Sequence, residues 1–117
     1  MVGNTPIYRD DDNELLGYVS EAVTGWVALT IFGYTIERTT DEVTAEHVVR
    51  EQGLLYLMGV WQYYDKDDRE WFPCVLKEVQ ERQVTVLRTN SMGYQDPDNF
   101  KLVVLRHPTD QNLVKLQ

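Results

Sequence analysis

The sequence predicts an α+β fold: a mostly antiparallel sheet of about five to seven strands, with one main helix over about residues 41–52 packed on one face. Three observations predict it. Runs rich in aromatic and β-branched residues recur between polar turn clusters. One segment only, residues 39–53, joins a capping pattern to apolar residues at helical spacing. And 117 residues, 43% hydrophobic and 26% charged, fit a single globular domain, taken as 1–117, without metal or disulfide staples.

In chain order, residues 6–9 and 15–20 flank Asp10-Asp11-Asp12-Asn13-Glu14, the pattern of a hairpin. Gly17 inside the second run marks a bulge or the close approach of another backbone. Thr24-Gly25 turns the chain into a third strand, residues 26–32. There Val27, Leu29 and Ile31 oppose Trp26, Ala28, Thr30 and Phe32, so both faces are largely apolar and the strand is expected to be central. Phe32-Gly33-Tyr34 either bends this strand or turns it into a fourth, residues 34–38.

For the helix, Thr39 is the expected N-cap and Glu42 the other half of a capping box, with Asp41 and Glu42 favoured by the helix dipole. Ala45, Val48, Val49 and Gln52 share one arc, Glu42, Glu46 and Arg50 lie mostly off it, and Gly53 has the character of a C-terminal cap. Continuing straight, the helix would carry Leu54, Leu57, Met58 and Trp61 on the opposite face, so a break at Gly53 is expected. Residues 54–59 fit either helix or strand; residues 60–64 fit strand.

Residues 70–79 and 83–89 form a meander joined by Gln80-Glu81-Arg82, and Pro73 implies an edge strand or a bulge. Residues 90–99 make a long loop with strong turn chemistry, residues 100–106 a last strand, and residues 109–117 a terminal helical turn. A single helix cannot cover both faces of a wide sheet. Either the sheet curls towards a barrel or a second copy covers it, and a homodimer is expected on that ground.

The net charge of −8 is uneven. Residues 1–66 hold eleven acids against four Lys/Arg (−7), and residues 67–117 hold eight against seven (−1). That field and the lack of a Lys/Arg cluster disfavour direct nucleic-acid binding. Nothing in the sequence resembles a signal peptide or an apolar run of about 18 residues, so no membrane association is expected. One cysteine, Cys74, allows no internal disulfide; the expectation is a soluble cytoplasmic protein.

The motifs of catalysis and cofactor binding are weak. Asp10, Asp12, Glu14 and Glu21 match four positions of a calcium loop, but Leu15 stands where that loop needs glycine, and Arg69 spoils the run 65–69 in the same way. Cys74 in an apolar strand reads as a small hydrophobe, and nothing in the spacing brings His47 or His107 to it. Gly53, Gly59 and Gly93 stand alone, without a phosphate-loop lysine. No cofactor, metal or catalytic residue is expected.

What remains is residues 60–79, where five of the thirteen aromatic residues surround the charged tip Asp65-Lys66-Asp67-Asp68-Arg69. Trp61 and Tyr63 share one strand face, Tyr64 takes the other, and Trp71 and Phe72 point oppositely. One set belongs to the core; the other, beside the acids, suits a cation from a partner. The candidate binding residues are Trp61, Tyr63, Trp71, Asp65, Asp67 and Asp68. The expected function is a non-catalytic interaction protein that engages a protein partner or basic peptide. The alternative is a small-molecule-binding domain or small enzyme with a pocket between helix and sheet, near Trp26, Tyr34 or Tyr94.

Overall fold

The computed structural model describes residues 3–95, 97–98 and 100–116. It is α+β, with every strand pair antiparallel, one α-helix, and two open sheets of four and five strands. The expected strands are therefore divided between two sheets, and neither closes into a barrel. They belong to two compact units, Met1–Leu57 and Met58–Gln117.

In the first unit β1 (Thr5–Tyr8), β2 (Leu15–Ala22), β3 (Gly25–Leu29) and β4 (Thr35–Thr39) lie in sequence order, and α1 (Glu42–Gln52) packs on them. Ala45, Val48 and Val49 of the helix meet Ile7, Leu16, Val19 and Ala28 of the sheet, with Trp26, Ile36 and Leu54 at the border. The helix arc read from the sequence is the buried one, except that Gln52 is exposed. No helix of the described residues is long and apolar enough to cross a membrane.

Gly17 answers to both expectations. The register slips between Ile7 and Tyr8, which face Gly17 and Leu15, leaving Leu16 as the extra residue of a bulge. A Cβ on Gly17 would stand 2.3 Å from the Leu29 carbonyl oxygen, and its φ is +154°. At Phe32-Gly33-Tyr34 the chain turns: β3 stops at Leu29, Thr30 N–H donates to the Tyr34 carbonyl at 2.8 Å, and Gly33 N–H to the Thr30 carbonyl at 3.0 Å.

The helix cap is Asp41, not Thr39. Thr39 is still in β4, paired with Trp26, so its side chain is not aimed at the helix amides; Asp41 Oδ1 accepts from Thr44 N–H at 2.8 Å. Gly53 stays right-handed (φ −51°), and glycine is needed for room: a Cβ there would meet the Leu16 carbonyl oxygen at 2.3 Å. Of the stretch 54–59, Leu55–Leu57 form a 3₁₀ turn and none of its residues is in a strand.

The second unit holds β5 (Trp61–Asp65), β6 (Glu70–Val79), β7 (Gln83–Arg88), β8 (Leu102–Arg106) and β9 (Leu113–Lys115), in the order β8-β7-β6-β5-β9. Four strands form a meander and the fifth returns to pair with the first. The segment 109–117, expected to form a terminal helical turn, instead contains a strand. Only its beginning turns, with Leu113 N–H donating to the Thr109 carbonyl at 2.8 Å; Leu113 then pairs with Tyr63 and is fully buried. A terminal helix would have left β5 an edge strand with unpaired backbone groups.

Pro73 is likewise not on an edge, since β6 is interior. Its carbonyl accepts from Thr89 N–H at 2.9 Å, one residue beyond β7, so its missing donor faces the last rung of the β6–β7 ladder. In the loop 90–99, Asn90 Oδ1 accepts from Met92 and Tyr94 N–H; Asp96 and Asn99 lie outside the described residues. Cys74 is buried and burial pushes its thiol up to about 12. We expect no reaction with an aromatic disulfide reagent at pH 8 until urea unfolds this unit; stoichiometric labelling of the native protein would contradict that.

Candidate functional site

The pairing Trp61↔Cys74, Tyr63↔Phe72, Tyr64↔Trp71 and Asp65↔Glu70 makes the expected hairpin. Alternation along β5 sends Trp61, Tyr63 and Asp65 to the buried face. Trp61 and Tyr63 are 0% exposed. Expected at the binding face, they lie inside, because the odd-numbered side chains of β5 point into the core. The wet aromatic pair is Tyr64 and Trp71, edge-to-face at 5.7 Å, with Trp71 37% exposed.

The same period carries Asp65 inward, where a lone carboxylate would be costly. Five donors meet it. Asp65 Oδ2 accepts from Arg88 Nη2 at 2.8 Å, from Lys101 Nζ at 2.7 Å and from Tyr63 Oη at 3.1 Å. Asp65 Oδ1 takes the N–H of Asp67 and Asp68 at 2.9 and 3.1 Å, which shapes the tip. Arg88 comes from β7, also buried; Nε donates to Tyr63 Oη at 2.9 Å, Nη2 to Asp68 at 3.0 Å, and Cζ stacks 3.6 Å from the Phe72 ring centre. No buried side-chain nitrogen or oxygen among the described residues lacks a partner.

Burial works against the Asp65 charge, but the hydrogen bonds from Lys101, the Asp68 and Asp67 amides and Tyr63 outweigh it and hold the carboxyl well below its ordinary 3.8. Burial likewise opposes charge on Arg88, whose pKa is nonetheless raised by Tyr63 and Asp68. Hydrogen bonding to Asp65 raises Lys101. A carboxyl depressed in the folded state binds fewer protons there than when unfolded. Its stabilisation is complete above the unfolded value and is lost as pH falls through the folded one. We expect the urea midpoint of this unit to hold from pH 7 to 5 and to fall below about pH 4. In Asp65→Asn that acid limb should flatten; an unchanged limb would remove Asp65 as its source.

The site's outer part is a cleft of about 510 Å³, lined by residues 64–67, residues 101–106 and Asn112. It lies in this unit, whereas the sequence suggested a pocket between helix and sheet; Ala45, Val48 and Val49 fill that space. Consecutive lining residues mean that the cleft follows the backbone edge of β8 rather than one of its faces. Among the described residues β8 pairs with β7 alone.

The parity of that pairing identifies the free groups. Arg88 N–H donates to the Lys101 carbonyl and His107 N–H to the Arg82 carbonyl, so odd-numbered residues of this segment direct their backbone groups at β7. The N–H and C=O of Leu102, Val104 and Arg106 therefore face outward, along the cleft. Their side chains are exposed too, Leu102 at 53% and Val104 at 50%.

Of the expected binding residues, Asp65 and Asp67 border the cleft, Asp68 caps Arg88, Trp71 is wet beside Tyr64, and Trp61 and Tyr63 are core. Arg88, Lys101, Leu102, Val104 and Arg106 were not foreseen. One signal was present: Arg88 shares a strand face with Val84 and Val86, and a cation on an apolar face requires a buried partner. No group of three or more His, Cys, Asp or Glu among the described residues is placed to hold a metal. The chain matches no family model, no curated protein and no solved structure, so a functional reading rests on this geometry.

Proposed function

We propose that this chain is a non-catalytic interaction protein whose second unit binds an extended segment of a protein partner as an added strand on β8. The observation that carries this is the outward backbone of Leu102, Val104 and Arg106 along a cleft. Three N–H and three C=O groups, one of each per residue, form a ladder that an extended chain completes. Such a row on an apolar strand invites pairing unless something covers it. The aromatic hairpin takes part as the facing wall, through Tyr64 and the tip residues Asp65, Lys66 and Asp67. A buried charge network ties that wall to β8 through Lys101, so both walls are held in register before a ligand arrives.

The test is Val104→Pro. The Val104 N–H faces away from β7, so proline removes a donor to the ligand and none from the native ladder. Displayed seven-residue peptides selected on the wild-type chain should show alternating apolar residues, and Val104→Pro, with an unchanged circular dichroism spectrum, should lose them. Equal retention by the variant, or no selection of an alternating pattern, would reject strand addition.

A further inference from the structure

Resting on strand addition at β8, we propose that the bound segment is acidic: it carries a carboxylate opposite Arg106 and apolar residues opposite Val104 and Leu102. The chain's net charge of −8 suggests the opposite sign, and the cleft departs from it. Its two acids are already engaged. Asp65 is held by Arg88 and Lys101, and Asp67 lies 3.4 Å from Lys101. Lys66 on one wall and Arg106 on the other are exposed, and neither makes an ion pair within 4.0 Å among the described residues. The cations left for a ligand thus lie towards the two ends of the cleft, Lys66 next to the acids that Lys101 contacts and Arg106 five residues further along β8.

Register converts this into a pattern. Every pair in the sheet is antiparallel, and an antiparallel addition is the more stable one. In it the ligand residue opposite Arg106 comes first in the ligand's own sequence, followed two residues later by the one opposite Val104, and two later by the one opposite Leu102. Those three side chains share the face on which Leu102 and Val104 are half exposed. An acid there pairs with Arg106 across the strands, and apolar residues cover the two aliphatic side chains. The recognised order is acid, any, apolar, any, apolar.

The experiment uses the full chain with three fluorescent peptides. The first is acetyl-Ser-Glu-Thr-Val-Thr-Leu-Ser-amide, the second has Lys for Glu, and the third keeps Glu but is N-methylated at Val. The proposal expects the Glu peptide to bind about fivefold tighter than the Lys peptide, with the order reversed in Arg106→Glu and the difference shrinking at high salt. Equal affinity of the Glu and Lys peptides, with the N-methylated one excluded, would overturn the acidic ligand and leave strand addition standing. Equal binding of the N-methylated peptide would overturn strand addition itself. A chain that binds none of the three but forms a dimer dissociated by Val104→Pro would assign the edge to a second copy, and a monomer that binds none would reject both readings.

Discussion

Replacing Asp65 with alanine is expected to destabilise the second unit by about 3–5 kcal/mol, the range for breaking a buried ion pair from one side. The loss has two sources. Arg88, nearly as buried as Asp65, would lose its buried counter-charge while the half-exposed Asp68 stays, and the tip would lose the acceptor for two backbone amides. Urea unfolding followed by the fluorescence of Trp61 and Trp71, with Trp26→Phe in every variant to silence the first unit, reads this unit. Asp68→Ala, which removes a half-exposed partner, should cost about 1 kcal/mol or less. Adding Arg88→Met to Asp65→Ala should recover part of the loss, because the uncompensated cation goes with it. A cost near 1 kcal/mol for Asp65→Ala would mean that Arg88 finds water when its partner is gone, and the buried network would not be what organises the hairpin.

The second large effect is expected from Gly17→Ala, about 3 kcal/mol or more, confined to the first unit. Two penalties combine: a φ of +154° that L-residues rarely adopt, and a Cβ set 2.3 Å from the Leu29 carbonyl, an atom fixed in the β2–β3 sheet. Gly33→Ala separates the two. Gly33 also has a positive φ, +92°, but a Cβ there meets nothing within 4 Å, so only the conformational cost of about 1 kcal/mol or slightly more remains. Amide exchange at Val19 and Ala28 measures the outcome. Similar costs for both variants would place the Gly17 effect in its dihedral angle alone.

Much of the fold was legible because it rests on local periods. The α1 arc, the hairpin 61–79 and the meander into β7 follow from alternation and turn residues that act within a few positions. The misreadings have a common physical origin: a partner distant in sequence. Thr39 looked like a cap until its pairing with Trp26 extended β4 through it. Residues 113–115 became a strand because β5, about fifty residues earlier, offered an open edge. Pro73 is tolerated in an interior strand because β7 ends where its missing donor points.

The site shows the same division. That residues 60–79 would matter was visible in their composition, and so was the opposition of the two aromatic faces. Which face would be dry depended on where the buried side chains of β6, β7, β8 and β9 gather, which no local pattern within residues 60–79 announced. The free edge of β8 was hidden for a different reason. Whether a strand has one neighbour or two is a property of sheet order, and Leu102, Val103, Val104 and Leu105 would read alike in the middle of a sheet.

The return of β9 to β5 also has a bearing on how this unit comes into being as the chain is made. Trp61 pairs with Cys74 on one side and Lys115 on the other. The meander can assemble as soon as β6, β7 and β8 have left the ribosome, but β5 stays bare along one side until residues 113–115 follow. Closing so long a loop is slow compared with forming a hairpin. During that interval two free edges coexist, on β5 and on β8, and a nascent chain is most open to pairing with its neighbours then. Residues 113–115 thus act as a latch that closes after the meander, and removing them should lower the yield of monodisperse protein before it alters anything the finished molecule binds.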